Sequence, residues 1–118
     1  MKIAIDLDGT LATYEKGLYP EIGELIEETA NLVREGIENG HTFVIFTARL
    51  NGSVSRTAMK ARIQTWLQRH GLPRLEVTDV KKSGFDQIWD DRAIRLVHNT
   101  GYMCAGCEVA REAYGNSN

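Results

Sequence analysis

The sequence predicts an α/β fold in which helices flank a parallel sheet, and three observations carry that expectation. Strand-like apolar segments alternate along the chain with segments of helical spacing. Thr42–Phe46 is a continuous apolar run, the pattern of a strand buried on both faces. Four polar clusters, Asp6-Leu7-Asp8-Gly9-Thr10, Thr47-Ala48-Arg49, Lys81-Lys82 and Asp90-Asp91, each follow a strand-like segment. Parallel α/β sheets place their ligand sites there, beyond the carboxyl ends of the strands.

The elements follow in order. Lys2–Ile5 is a short apolar strand ending at Asp6. Glu21–Glu38 is predicted helix: Pro20 stands at its first turn, acidic residues come early and Gly40 lies just past its end. Ile22, Leu25, Ile26, Leu32 and Val33 supply its roughly helical apolar spacing. After the Thr42–Phe46 strand, Ser53 is expected to cap a second helix running to about His70 and ended by Gly71 and Pro73. Its apolar stripe is Met59, Ile63, Trp66 and Leu67. Leu75–Thr78, Gln87–Trp89 and Arg95–His98 are three further short strand candidates, and a last helix is expected over Glu108–Tyr114. No repeat, low-complexity tract or linker suggests a boundary, so residues 1–118 are expected to form one domain around one core.

Composition narrows the function classes. Charged residues make up 25% and hydrophobic ones 42%, which excludes a disordered or membrane-spanning chain. The N-terminal run Met1–Asp6 puts a carboxylate where a signal peptide needs apolar residues, so a cytoplasmic location is expected. The net charge of −2 is unevenly spread: residues 1–48 carry 3 Lys/Arg against 9 Asp/Glu, residues 49–82 carry 8 against 2, and residues 83–118 carry 3 against 5. The basic middle third is either a polyanion-binding surface or a solvated helix face.

Asp6 and Asp8 are two apart, so on an extended backbone both carboxylates point to one side while Leu7 points back. Gly9 then permits a sharp turn and close approach of the backbone to a ligand. Carboxylates converging there repel unless a cation is present, and a hard oxygen-seeking ion such as Mg²⁺ resolves the repulsion. The Thr47 hydroxyl and Lys82 supply a hydrogen-bond donor and a positive charge for a phosphoryl group. Taken singly, each cluster has a plain structural reading: Asp-x-Asp-Gly as a turn, Asp90-Asp91 as a helix cap, the lysines as solvated. Taken together they form a set suited to a demanding reaction. Phosphate monoester hydrolysis needs a barrier lowered by roughly 20 kcal/mol or more, which calls for a nucleophile, an acid, a metal and a cationic clamp acting jointly.

Across nearly the whole chain this set resembles the haloacid dehalogenase-like superfamily, whose four motifs are matched by Asp6-Leu7-Asp8-Gly9-Thr10, Thr47, Lys82 and Asp90-Asp91. Phe46-Thr47-Ala48-Arg49 and Asp90-Asp91-Arg92-Ala93 also look like small bacterial and phage members of that group. The resemblance implies a three-layer α/β/α sandwich with a central parallel sheet, and a phosphatase that forms a phosphoaspartate on Asp6. Asp8 would serve as general acid and then base; members that displace halide lack an acid there, because a leaving halide needs no proton. The implied Mg²⁺ site is Asp6, the Asp8 carbonyl and Asp90, with Asp91 in the same metal-binding set. Thr47, Ala48, Arg49 and Lys82 would bind the substrate phosphate. Lys82 lies eight residues before Asp90, the separation expected of this motif, and is preferred over Lys81, although Ser83 stands where relatives often carry proline. Arg49 either touches substrate or forms an ion pair.

The gaps from Asp8 to Thr47 and from Thr47 to Lys82 hold one helix and one strand each, leaving no room for a cap over the site. An open site suits a large substrate or one enclosed by a neighbouring subunit of a homo-oligomer. With the basic middle third, this favours a nucleotide or a phosphorylated nucleic-acid end. Two readings compete: a receiver-like regulatory domain, whose order of acidic and phosphoacceptor residues differs from this one, and a phospho-ligand binder without turnover. Cys104-Ala105-Gly106-Cys107 is a lone C-x-x-C; a structural zinc would need two more ligands, and packing thiols are the simpler reading.

Overall fold

The computed structural model describes residues 1–107; the helix expected over Glu108–Tyr114 lies outside them. Four strands, β1 (Lys2–Ile5), β2 (Thr42–Phe46), β3 (Glu76–Thr78) and β4 (Gln87–Trp89), pair in parallel in the order β3-β2-β1-β4. Two helices, α1 (Glu27–Glu38) and α2 (Arg56–Arg69), link the first three, and a 3₁₀ turn spans Ala48–Asn51. This is the parallel α/β architecture the alternation of elements predicts.

The crossovers β1–α1–β2 and β2–α2–β3 step the same way along the sheet. With the right-handedness that parallel crossovers keep, both helices cover one face. Ile3, Ile5, Phe43, Ile45 and Val77 share a core there with Ala30 and Val33 of α1 and with Met59, Ile63, Trp66 and Leu67 of α2. The chain then reverses past β2 and β1 to reach β4, so the segment from Asp79 to Asp86 crosses the opposite face. Phe85 lies there against Phe46, ring centroids 6.1 Å apart, and under the Lys2 ammonium at 5.8 Å. Strand order thus reverses at β1, and the switch point of a parallel sheet is where a ligand crevice opens.

Several boundaries differ from the sequence reading. The first helix starts at Glu27, not Glu21. The preceding residues pair instead with the chain after β1: Ala12 bridges Leu25, Thr13 N–H donates to the Glu24 carbonyl and Ile26 N–H to that of Leu11. Ile22 and Leu25 reach the core from this extended strap, and Leu32, expected in the helical stripe, is 53% exposed. The second helix is capped by Ser55, whose hydroxyl accepts from Ala58 N–H at 3.2 Å, two residues later than expected. Its stripe is buried as predicted. Arg95–His98 is not a strand: Asn99, at φ +60°, turns the chain back, leaving only a bridge between Leu96 and Met103. No helix among the described residues is long and apolar enough to cross a membrane.

Candidate active site

The site assembles where β1, β2 and β4 end. Asp6 directly follows β1, and its N–H donates to the Trp89 carbonyl at 2.9 Å. That bond extends the β1–β4 ladder by one rung and sets Asp6 beside Asp90. Leu7 is fully buried, so Asp6 and Asp8 turn the other way, toward the cleft. The Leu7 carbonyl accepts from Leu11 N–H and Ala12 N–H, at 3.0 and 2.9 Å, closing a tight turn after the strand.

Gly9 sits in that turn at φ +85°, and a Cβ there would lie 2.6 Å from Asp91 Oδ2. Only glycine meets both demands. Thr10 fixes the same side chain: its hydroxyl donates to Asp91 Oδ1 and accepts from Asp91 N–H, each at 3.0 Å. Asp90 accepts from Arg92 N–H at 2.8 Å through Oδ1. As a result one carboxylate oxygen each from Asp6, Asp90 and Asp91 lies within 4.8 Å of the others. Burial and the Asp90 charge, with a hydrogen bond to Asp91 and its charge, push the Asp6 carboxyl up to about 7 against the opposing Leu7 N–H. Three converging hard oxygen donors, one of them Asp6 with its raised proton affinity, fit Mg²⁺, which would hold all three as carboxylates.

Asp8 is outside this carboxylate group. Both its oxygens accept from Arg49, at 2.7 Å from Nε and 2.9 Å from Nη2, a bidentate pair. Arg49 also donates to the Pro20 and Glu21 carbonyls, at 3.1 and 2.9 Å, and is 8% exposed. Of the two roles open to Arg49 in the sequence, the structure shows the ion pair. Thr47 is buried at the end of β2, where its N–H donates to the Thr78 carbonyl and its Oγ1 accepts from Arg49 N–H at 3.2 Å. Its hydroxyl proton stays available to a ligand.

Asp6, Asp8, Thr47, Ala48, Arg49 and Asp91 line one open cleft of about 400 Å³. Larger hollows beside α2, about 490 and 640 Å³, gather at most one carboxylate each. Lys82 is not brought into the cleft. Its ammonium pairs with Glu76 at 3.3 Å, because the segment carrying it crosses the face of the sheet toward β4. Lys81 does not line the cleft either. Cys104 and Cys107 are half-buried free thiols held by Arg95, whose carbonyl accepts from Cys104 N–H and whose N–H donates to Cys107 Sγ at 3.2 Å.

Several residues of the site went unassigned in the sequence, Asn51 and Gly52 of the cleft lining among them. Thr10 was visible inside the first motif, but its grip on Asp91 spans 81 positions. Tyr14, Tyr19 and Arg92 also line the cleft. Tyr19 Oη accepts from Val54 N–H at 3.1 Å, and its ring lies 5.5 Å from the Arg49 guanidinium.

A parallel sheet with clustered carboxylates and a buried threonine around a cleft at its switch point has the arrangement of α/β proteins whose ligand crevice opens at the strand ends. Residues 3–68, more than half of the 118, match the family model of the haloacid dehalogenase-like hydrolases. The chain belongs to that family. No curated protein matches it. Among solved structures it is similar to a conserved protein coded by a locus of Bacteroides thetaiotaomicron, with a TM-score of 0.57 at 23% identity over 100% of this chain and 92% of that one. A likeness at that identity speaks to the fold alone.

Proposed function

We propose that the protein is a phosphomonoester hydrolase that works through a phosphoaspartate on Asp6 and depends on Mg²⁺. The observation that supports this best is the placement of the Asp6 carboxylate. It borders a cleft beside Thr47 and clusters with Asp90 and Asp91, in a family of hydrolases.

Asp6, Asp90 and Asp91 are the residues that would hold the metal. Bound there, Mg²⁺ supplies charge neutralisation for the cluster and for a phosphoryl oxygen. One Asp6 oxygen attacks phosphorus, the P–O bond to the alcohol breaks, and the leaving oxygen takes a proton from Asp8. Water then attacks the phosphorus of the aspartyl phosphate, Asp8 takes back a proton, and inorganic phosphate leaves. Arg49, bonded to both Asp8 oxygens, holds that carboxyl in position for both transfers. The Thr47 hydroxyl donates to a phosphoryl oxygen.

The substrate class beyond the phosphomonoester follows from the open cleft, which admits a nucleotide or a nucleic-acid end. The basic segment 49–82 adds less than its composition suggests. Arg49, Arg56, Arg62 and Lys82, four of its eight cations, are paired with Asp8, Asp79, Glu21 and Glu76.

The test is hydrolysis of an aryl phosphate, mononucleotides, sugar phosphates and phosphorylated oligonucleotide ends, with Mg²⁺ and with a chelator. Turnover should require the metal and vanish in Asp6→Asn, whose amide cannot attack. A folded, Mg²⁺-loaded protein inactive on every substrate, or activity that survives chelation, would refute the proposal.

A further inference from the structure

We propose that Arg92 is the cation that clamps the substrate phosphoryl group in this protein; the proposal rests on the phosphohydrolase reading above. A phosphate monoester brings two negative charges to a cleft already lined by carboxylates, so a protein cation must face it. The supply is short. Arg49 is spent on Asp8 and two backbone carbonyls, so turning it to a ligand would strand three acceptors. Lys82 is held by Glu76 on the far face of the sheet, and neither it nor Lys81 borders the cleft.

Arg92 does border it, and among the described residues its guanidinium makes no ion pair and no hydrogen bond. Its backbone is fixed all the same, because Arg92 N–H donates to Asp90 Oδ1 at 2.8 Å. Arg92 thus follows Asp90 and Asp91 at the edge of the cleft that Asp6 also lines, where a phosphoryl group attacked by Asp6 would be bound. A guanidinium presents a planar fork that matches two phosphate oxygens, which an ammonium does not. The clamp then comes from the acidic motif itself, not from the segment preceding β4.

The test is binding of inorganic phosphate to the full-length, Mg²⁺-loaded protein, followed by calorimetry and by ³¹P NMR. Wild type is compared with Arg92→Gln, Arg92→Lys and Lys82→Ala, with Mg²⁺ affinity and thermal melting checking each variant. Arg92→Gln should weaken phosphate binding roughly 10- to 100-fold, the scale of a lost charge-assisted hydrogen-bond pair. Arg92→Lys should fall between wild type and Arg92→Gln, and Lys82→Ala should lose at least fivefold less than Arg92→Gln. Unchanged binding in Arg92→Gln, or an equal loss in Lys82→Ala, overturns the assignment, as does failure of the wild type to bind phosphate. Wild type that binds phosphate through Arg92 but hydrolyses no phosphomonoester would leave the clamp standing and remove the hydrolase proposal instead.

Discussion

Replacing Asp6 by asparagine should make the metal-free protein more stable while destroying its activity. The Asp6 carboxyl is raised from 3.8 to about 7 by burial and by its carboxylate neighbours. A carboxyl raised in the folded state binds more protons there than in the unfolded chain. Its share of stability is therefore intact below pH 3.8 and is lost as pH rises through about 7. A shift of about three units at 1.36 kcal/mol each sets an upper bound of roughly 4 kcal/mol, and solvent screening of this half-buried group brings the expected loss above neutrality to about 1–2 kcal/mol. Asparagine removes the charge and can donate its amide N–H to Asp91, so it should recover much of that figure. For a chain of this length, a gain of several degrees in melting temperature is expected. The assay is thermal melting of wild type and Asp6→Asn between pH 5 and 8 in chelator and then in Mg²⁺. Subtracting the two curves cancels the opposite pH dependence of ordinary surface carboxylates. The difference in melting temperature should grow from pH 5 to 8 in chelator. Mg²⁺ should then shrink it, by stabilising wild type in proportion to its binding. If metal-free Asp6→Asn melts at or below wild type throughout, the three carboxylates do not repel as described and the metal site loses its physical basis.

Other outcomes follow from the same geometry. Asp8→Asn should lower turnover at least ~10²-fold and, because it loses the base for the second step, should accumulate phosphoenzyme detectable by intact-mass measurement; a proportionate loss without accumulation would place Asp8 in the first step only. Arg49→Met should cost about 3 kcal/mol of stability in denaturant titration, since it leaves Asp8 and the Pro20 and Glu21 carbonyls without their donor; a neutral result would mean water replaces the guanidinium freely. Gly9→Ala meets both the positive φ and the Asp91 contact at 2.6 Å. It should destabilise by about 1–3 kcal/mol and weaken Mg²⁺ binding more than tenfold by calorimetry, whereas unchanged metal affinity would show that Asp91 is not needed at its present position.

The parts of the fold that could be read in the sequence are those whose signal is local. The β2 segment is an unbroken apolar run, and the α2 stripe repeats at helical spacing because both elements bury those side chains directly. The beginning of α1 failed for a non-local reason. Ile22, Leu25 and Ile26 have spacing compatible with a helix, but the backbone over 24–26 pairs with that over 11–13, a pairing between segments that no window over either one reveals. Arg95–His98 failed similarly: its apolar residues satisfy a strand pattern, yet the turn at Asn99 prevents them from reaching the sheet.

In the site, the clusters at the ends of β1, β2 and β4 were legible because a parallel sheet brings successive strand ends to one edge, whatever their distance along the chain. Lys82 shows the limit of that rule. Its eight-residue separation from Asp90 matches the expected motif, but separation along a segment does not fix the face that the segment crosses. With β3 at one edge and β4 at the other, the connecting chain must run across the sheet, and Glu76 lies under its path. The same strand order gives Arg92 its position, because the residues after β4 emerge beside β1, where Asp6 ends the central strand. Which cation borders the cleft is thus decided by where strand order reverses, and the sequence expresses that order only through the whole fold.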